Sequence, residues 1–306
     1  MNELGPAAAA CMVGQHNNFR WFHVEDVKGP ALDELAVAFG LHDLAIEDCR
    51  NLRQRSKVDD YDTHLFLVLN TLHFDKTKRD CWFGEFNVFV GKDFLITVHD
   101  GPSRTYRAVL PKFQAEPKMA HPGHLLRALL DYIVDQYLPV LDTVEERIEE
   151  MEEEVIGKTS PAQLSEIFAL RRALINFRRV ATGMRDAVNH LLYRTEPWLR
   201  TEQLYLRNVY DHIVRALDFV ETYREILTGV LDVHLTATAN RTNEIMKVLT
   251  IYTTIAAPIL LITGYFGQNF DELPLIHQVY GVPVMHGLLL ISSLGALWFF
   301  KRRGWY

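Results

Sequence analysis

The chain has 306 residues, with 32 Lys and Arg against 39 Asp and Glu; the formal net charge of −7 argues against a general nucleic-acid binder, whose affinity comes from basic contacts to phosphate. Three cysteines, Cys11, Cys49 and Cys81, stand far apart with no Cys-x-x-Cys pair. That excludes a zinc knuckle or thioredoxin-like motif and suits a reducing cytosol.

Residues 1–18 hold an alanine run, Ala7 to Ala10, without the basic stretch and long apolar core of a signal peptide, and are expected to be a disordered tail. Residues 19–120 read as an α/β domain. A strand is expected at 19–24, and short helices at 32–39 and 43–48. Residues 61–74 and 85–98 are rich in β-branched and aromatic residues with partial alternation, the mark of strands. Gly91, Lys92 and Asp93 interrupt the second stretch and predict a hairpin turn inside it.

The character becomes helical over 121–196. Leu125, Leu129, Tyr132, Ile133, Gln136, Tyr137, Val140, Leu141 and Val144 form one stripe at helical spacing. The helix then turns acidic, with seven glutamates between positions 145 and 154. A solvated face explains them; a diffuse collection of cations is the other reading. Gly157, Ser160 and Pro161 mark a turn, with Pro161 at a first helical position. The next helix carries Arg171, Arg172, Arg178, Arg179 and Arg185, so a charge-matched antiparallel hairpin is expected. His121 and His124 make a His-x-x-His pair beside Pro122 and Gly123, a spacing that in a loop is more often a plain pair than a metal site.

Residues 197–247 are expected to form a stalk helix. From position 202 to 257 there is no proline and one glycine, Gly229. A helix of that length would be on the order of 80 Å long at about 1.5 Å per residue. Such a rod needs partners along its length, which predicts an oligomer.

The remainder divides into a first span at 248–267, an external loop at 268–283, a second span at 284–300 and a basic end at 301–306. No Asp, Glu, Lys or Arg occurs from 248 to 270 or from 273 to 300. Roughly 20 apolar helical residues cross a bilayer. The loop holds Asp271, Glu272, Pro274 and Pro283 but no Lys or Arg, whereas Arg241 and Lys247 precede the first span and Lys301, Arg302 and Arg303 follow the second. The positive ends, and with them both termini, should face the cytoplasm. His277 and His286 flank the loop. Along the first helix, Asn243, Met246, Leu249, Thr250, Thr253, Ala257, Leu260, Gly264 and Gly267 share a stripe of mostly small or weakly polar side chains. That stripe fits a pore lining or an oligomer contact, and equally a plain packed hairpin.

Tyr265-Phe266-Gly267-Gln268-Asn269-Phe270 closely resembles the Tyr-Gly-Met-Asn-Phe signature of the CorA family of magnesium and cobalt channels. The segment Asn240-Arg241-Thr242-Asn243-Glu244-Ile245-Met246-Lys247-Val248-Leu249-Thr250-Ile251 resembles the family's entry into the membrane, and Pro258 its mid-helix proline. Val209-Tyr210-Asp211-His212, Gly229-Val230-Leu231-Asp232-Val233 and Lys301-Arg302-Arg303-Gly304-Trp305 look like its stalk and basic C-terminal end. The resemblance runs from about residue 20 to the end.

It implies an α+β membrane protein with an N-terminal cytoplasmic α/β domain, a long stalk helix and two C-terminal transmembrane helices, assembled as a homopentameric funnel in the cell inner membrane. The implied partners are further copies of the chain, membrane lipids and divalent cations, with no nucleic acid and no covalent cofactor. The implied activity is influx of Mg²⁺, with Co²⁺ or Ni²⁺ as related cargo. Gly267, Gln268 and Asn269 would form the selectivity filter. A ring of Asn269 amides would accept hydrogen bonds from water on an ion that dehydrates reluctantly. Asn243 would be a polar ring, Met246 and Leu249 an apolar constriction, and Thr250, Thr253, Ala257, Leu260 and Gly264 the pore wall. Lys301, Arg302 and Arg303 would be a cytoplasmic basic ring. Three departures bear on the ion. Gln268 replaces the family's usual methionine, and relatives of the ZntB type that handle zinc also vary there, so proton-coupled zinc transport is the rival. Leu260 replaces a pore threonine. Asn208 stands where relatives have the aspartate of an inter-subunit Mg²⁺ sensing site, with Asp75 as the candidate partner acid. A non-conducting membrane-tethered sensor or scaffold is the alternative from another class. An enzyme is not expected: there is no phosphate loop, no Gly-x-Ser-x-Gly and no His-Glu-x-x-His.

Overall fold

The computed structural model describes residues 4–16, 18–51, 54–75, 80–119, 121–157, 160–268, 274–275 and 278–305, with the backbone alone at 73–75, 80–82 and 156–157. The chain divides into two units, Met1–Leu231 and Asp232–Tyr306.

The first unit contains a six-stranded sheet: β1 (Met12–His16), β2 (Phe19–Val24), β3 (Lys57–Asp60), β4 (Leu65–Asp75), β5 (Asp80–Val90) and β6 (Phe94–Val98), in the order β1-β2-β6-β5-β4-β3. Neighbours are antiparallel except β2 and β6. The expected turn at 91–93 joins β5 to β6, with the Gly91 N–H donating to the Phe94 carbonyl at 3.0 Å. The partial alternation of the central strands has a simple cause. Leu65, Leu67 and Leu69 enter one core while Phe66 and Val68 enter another, because helices cover both faces.

One cover is α2 (Pro30–Phe39) and α3 (Asp43–Arg50). Here the sequence reading of 1–18 as a disordered tail needs correction, because the described part forms helix α1 (Pro6–Ala10) and strand β1. Ala8 is fully buried, and its N–H donates to Glu34 Oε2 at 2.7 Å. Pairing of β1 with β2 covers a sheet edge that would otherwise be open.

The other cover is α4 (Arg104–Ala115), α5 (Pro122–Asp135), α6 (Tyr137–Gly157), α7 (Pro161–Leu192), a short α8 (Pro197–Arg200) and the first half of α9 (Gln203–Phe266). The single helix expected through 125–144 breaks at Gln136. Pro139 has no N–H to close onto the Asp135 carbonyl, and its ring crowds that oxygen, so a new helix starts with proline in its first turn. Helix α7 begins with a capping box in which the Ser160 hydroxyl and Gln163 side chain exchange hydrogen bonds with each other's backbone N–H.

Three of these helices share one period. Leu141, Val144, Ile148, Met151 and Val155 on α6 alternate steps of three and four. So do Ile167, Leu170, Leu174, Phe177, Ala181, Met184, Val188 and Leu191 on α7, and Leu206, Val209, Ile213, Ala216, Val220, Tyr223, Leu227 and Val230 on α9. All are buried in the same core. A period of about 3.5 is that of left-handed helical packing. Among the described residues, the expected ion pairs of α6 acids with α7 arginines do not form. Arg147, on the acidic helix, reaches Glu166 on α7 at 2.7 Å and Glu150 of its own helix at 2.6 Å. Arg178 on α7 pairs with Glu221 on α9 at 2.5 Å. The heptad places apolar side chains between the helices and leaves the seven glutamates exposed.

The elbow before α9 is built on a buried carboxylate. Glu202 is 1% exposed; His124 Nδ1 meets its Oε1 and Arg127 Nε lies 3.1 Å from its Oε2. Gly123 makes the approach possible, since a Cβ there would sit 2.1 Å from the Trp198 carbonyl oxygen. The His-x-x-His pair is therefore half engaged in structure, and burial, then His124, lowers the pKa of His121. Among the described residues no group of three His, Cys, Asp or Glu side chains is arranged to hold a metal. Glu202→Ala leaves the Arg127 guanidinium and the His124 ring without this partner and should cost about 3 kcal/mol of stability, read as a lowered denaturation midpoint, with Glu202→Gln costing less.

His23 supplies a pH signature. It is 7% exposed, stacks on Tyr106 at 3.7 Å between centroids, and its Nδ1 is 2.9 Å from Thr97 Oγ1. Burial, with repulsion from His99 second, lowers its pKa from 6.5 to about 4. Glu25 is 3.6 Å away but half exposed, too screened to reverse this. The native ring stays neutral where the unfolded chain takes up a proton. Stability from this group is therefore complete above pH 6.5 and is lost as pH falls toward 4, by up to about 3 kcal/mol. Melting of wild type and His23→Gln at pH 7 and pH 4.5 checks it: the variant should show the shallower acid loss, and equal slopes would refute the assignment.

The second unit holds the rest of α9 and α10 (Gly281–Arg302). Both helices are long and apolar enough to cross a membrane, and none of either apolar window is buried within the chain. A core helix of a soluble protein would be covered.

Candidate functional site

The second half of α9 has two contrasting faces. Ile251, Ile255, Pro258, Ile259, Ile262 and Phe266 are half-buried. Asn243, Met246, Leu249, Thr253, Ala257, Leu260, Gly264 and Gly267 are exposed, with Thr250 half-buried at the margin. At about 100° per residue the two sets lie on opposite sides of the helix. The sheltered side is bulky and β-branched; the exposed side mixes small and hydroxylated residues with Met246, Leu249, Leu260 and, at its edges, Tyr252 and Leu261. Met246 and Leu249 are each 54% exposed and Leu260 69%.

The threonine hydroxyls are satisfied within the helix. Thr250 Oγ1 donates to the Met246 carbonyl at 2.7 Å and Thr253 Oγ1 to the Leu249 carbonyl at 3.0 Å. A hydroxyl in hydrocarbon needs such a partner. Once its proton is committed, only oxygen lone pairs remain, able to accept a hydrogen bond from water. Pro258 sits inside α9 without ending it.

Helix α9 stops at Phe266. The Gly267 N–H still donates to the Thr263 carbonyl at 2.9 Å, and a Cβ on Gly267 would sit 3.0 Å from that same oxygen. Glycine thus serves a close approach here, since the left-handed backbone does not occur at this position. Gln268 is exposed, and Asn269 lies outside the described residues. His277 does too, while His286 Nδ1 is 2.9 Å from the Val282 carbonyl.

At the other end of the hairpin, Lys301 and Arg302 occupy the last turn of α10 and Arg303 its C-cap, all exposed and favourably placed at the negative end of the helix dipole. The Arg302 guanidinium lies 5.3 Å over Trp298 and that of Arg303 5.6 Å over Phe299.

The structure does not bring the remaining site residues to one described cluster. Asn208 is exposed on α9. Asp75 ends β4, its backbone opposite Asp80, and its side chain lies outside the described atoms. Sequence reasoning missed a further feature. Asp211, Asp218, Glu225 and Asp232 recur on α9 at seven-residue steps, and all are exposed. The constant spacing is the signal in the sequence, diluted there by the other polar residues between the acids.

The sequence profile of the CorA-like Mg²⁺ transporter protein family matches residues 16–302. A Bacillus subtilis (strain 168) protein named "Putative metal ion transporter YfjQ" is 33% identical over 292 residues, covering 94% of this chain and 90% of its own. The cobalt/magnesium transport protein CorA of Thermotoga maritima is 28% identical over 290 residues, covering 93% and 83%. Among solved structures, the complete CorA magnesium transporter from Methanocaldococcus jannaschii superposes with a TM-score of 0.82 at 22% identity, covering 100% of this chain and 95% of that one.

Proposed function

The chain belongs to the CorA-like Mg²⁺ transporter family, and on that premise we propose that it is a divalent-cation channel carrying Mg²⁺, and secondarily Co²⁺ or Ni²⁺, into the cell. The observation that carries this reading is the exposed, small and hydroxyl-bearing side of α9, opposite its bulky sheltered side. A lone hairpin tolerates such a face because its hydroxyls are bonded within the helix, whereas a ring of copies would turn it into a wall of oxygen acceptors.

In this reading five copies place the stripe from Asn243 to Gly264 on a common axis. Met246 and Leu249 form an apolar constriction that passes water only when widened. Gly267, Gln268 and Asn269 form the outer mouth, where amide oxygens accept from the water shell of Mg²⁺, which that ion gives up reluctantly. Lys301, Arg302 and Arg303 keep both ends of the hairpin on the cytoplasmic side of a plasma or inner membrane. The cation is cargo, and no resident cofactor is needed. Asn208 is a neutral amide, so a Mg²⁺ sensing contact at that position would be weaker than one made by a carboxylate.

Gln268 favours one rival, because a second amide at the mouth offers an extra contact to a more readily dehydrated ion such as Zn²⁺. Purified protein in liposomes, given Mg²⁺, Co²⁺, Ni²⁺ and Zn²⁺ with and without a proton gradient, separates the two. The proposal expects Mg²⁺ entry driven by membrane potential alone. Zn²⁺ entry that requires the proton gradient, with no Mg²⁺ entry, would overturn it.

A further inference from the structure

The first unit contains a cleft of about 670 Å³ between the sheet and α7 that ion conduction does not use. Its lining includes Arg55, just before β3, and Arg179 on α7. Both are exposed, and neither forms an ion pair with a described residue. The neighbouring Arg178, by contrast, is paired with Glu221.

Arg55 lies in an irregular segment that is nonetheless held on both sides. The Gln54 N–H donates to Glu85 Oε1, and the Gln54 carbonyl accepts from Asn70 Nδ2 at 3.3 Å. On the other flank the Ser56 hydroxyl accepts from Asn70 Nδ2 and from the Asn70 N–H, each at 3.2 Å. Asn70 and Ser56 are 7% and 8% exposed, so the clamp is part of the folded interior. With the backbone already held on both flanks, engaging a ligand would order the Arg55 side chain alone. Asn176 lies one turn before Arg179 and lines the same cleft. His99 also lines it, with Nδ1 3.0 Å from the Gly101 carbonyl, which turns Nε2 toward other partners.

We propose that this cleft binds a phosphate-bearing small molecule, its phosphate oxygens taken by Arg55 and Arg179. Planar guanidinium groups match phosphate in a two-bond geometry that a lysine would not reproduce. The volume is within the range of roughly 300–1,000 Å³ usual for small-molecule sites. Asp100, also in the lining, favours a ligand whose body carries hydrogen-bond donors beside its phosphates. The residues lining the site all belong to the first unit, and its existence does not depend on which cation is carried.

ATP, titrated calorimetrically without added Mg²⁺ into full-length protein in detergent, is the probe. Wild type should bind it saturably, more weakly as salt rises. Arg55→Gln and Arg179→Gln should each weaken binding by about tenfold or more. Arg172→Gln, an exposed α7 arginine outside the cleft, should leave it unchanged. Equal melting temperatures of the unliganded variants keep the comparison clear of misfolding. Absence of saturable binding at millimolar ATP, or equal affinity in wild type and both cleft variants, would overturn the proposal.

Discussion

Asn269→Ala is expected to reduce Mg²⁺ influx into proteoliposomes to near the background of empty vesicles. A hydrated Mg²⁺ arriving at the mouth exchanges bulk water for whatever the channel offers. Amide oxygens replace the lost hydrogen bonds to its inner water shell, and a methyl group replaces none. The ion must then shed water, which Mg²⁺ does at high cost, or face an apolar ring. A loss of tenfold or more follows if each copy withdraws even part of one hydrogen bond, worth about 0.5–1.5 kcal/mol apiece, from the same ion. If Asn269 acts at the mouth as proposed, the variant should keep the assembly mass of wild type. Wild-type flux at unchanged mass would remove Asn269 from the filter.

Thr253→Lys should be equally severe for a different reason. Thr253 is exposed on the stripe, and its hydroxyl proton is already given to the Leu249 carbonyl. In the proposed pore, a lysine there brings one positive charge per copy into a narrow, poorly screened space, and rings of Lys or Arg are what anion pores use. Divalent entry should fall at least tenfold, while Thr253→Ser, which keeps the oxygen, should retain most of it. If Thr253 instead faced lipid, the lysine would disturb insertion and assembly rather than conduction, and the oligomer mass would report that.

Much of this architecture can be read from residue patterns, and the exceptions have physical causes. The spans are visible because a bilayer tolerates so few charges that their absence over 248–270 is decisive. The hairpin turn at 91–93 is visible because glycine and aspartate interrupt a strand-like run. The N-terminal segment misled because alanine and short polar stretches carry little hydrophobic signal. Ala8 is buried by what surrounds it, and β1 exists because β2 offers an edge. The break at Gln136 was available in Pro139 but was masked by an apolar stripe that continues across it. On α6 and α7, charge drew attention away from period. The glutamates and arginines suggested matched helices, whereas Leu170, Leu174, Phe177 and Ala181 carry the heptad that packs them. The exposed stripe of α9 was legible as a spacing, but its meaning was not. That required seeing which side of the helix the rest of the chain shelters.

Cysteine accessibility along that helix tests the central claim most directly. In a background with Cys11, Cys49 and Cys81 replaced, single cysteines at Thr253 and Ala257, and at Ile251 and Ile255, can be exposed to a water-soluble, membrane-impermeant thiol reagent during Mg²⁺ flux. Block is expected at positions 253 and 257 and indifference at 251 and 255, in step with the exposed and sheltered sides of the helix. Block at 251 and 255 with 253 and 257 insensitive, or no difference between the two sides, would contradict it.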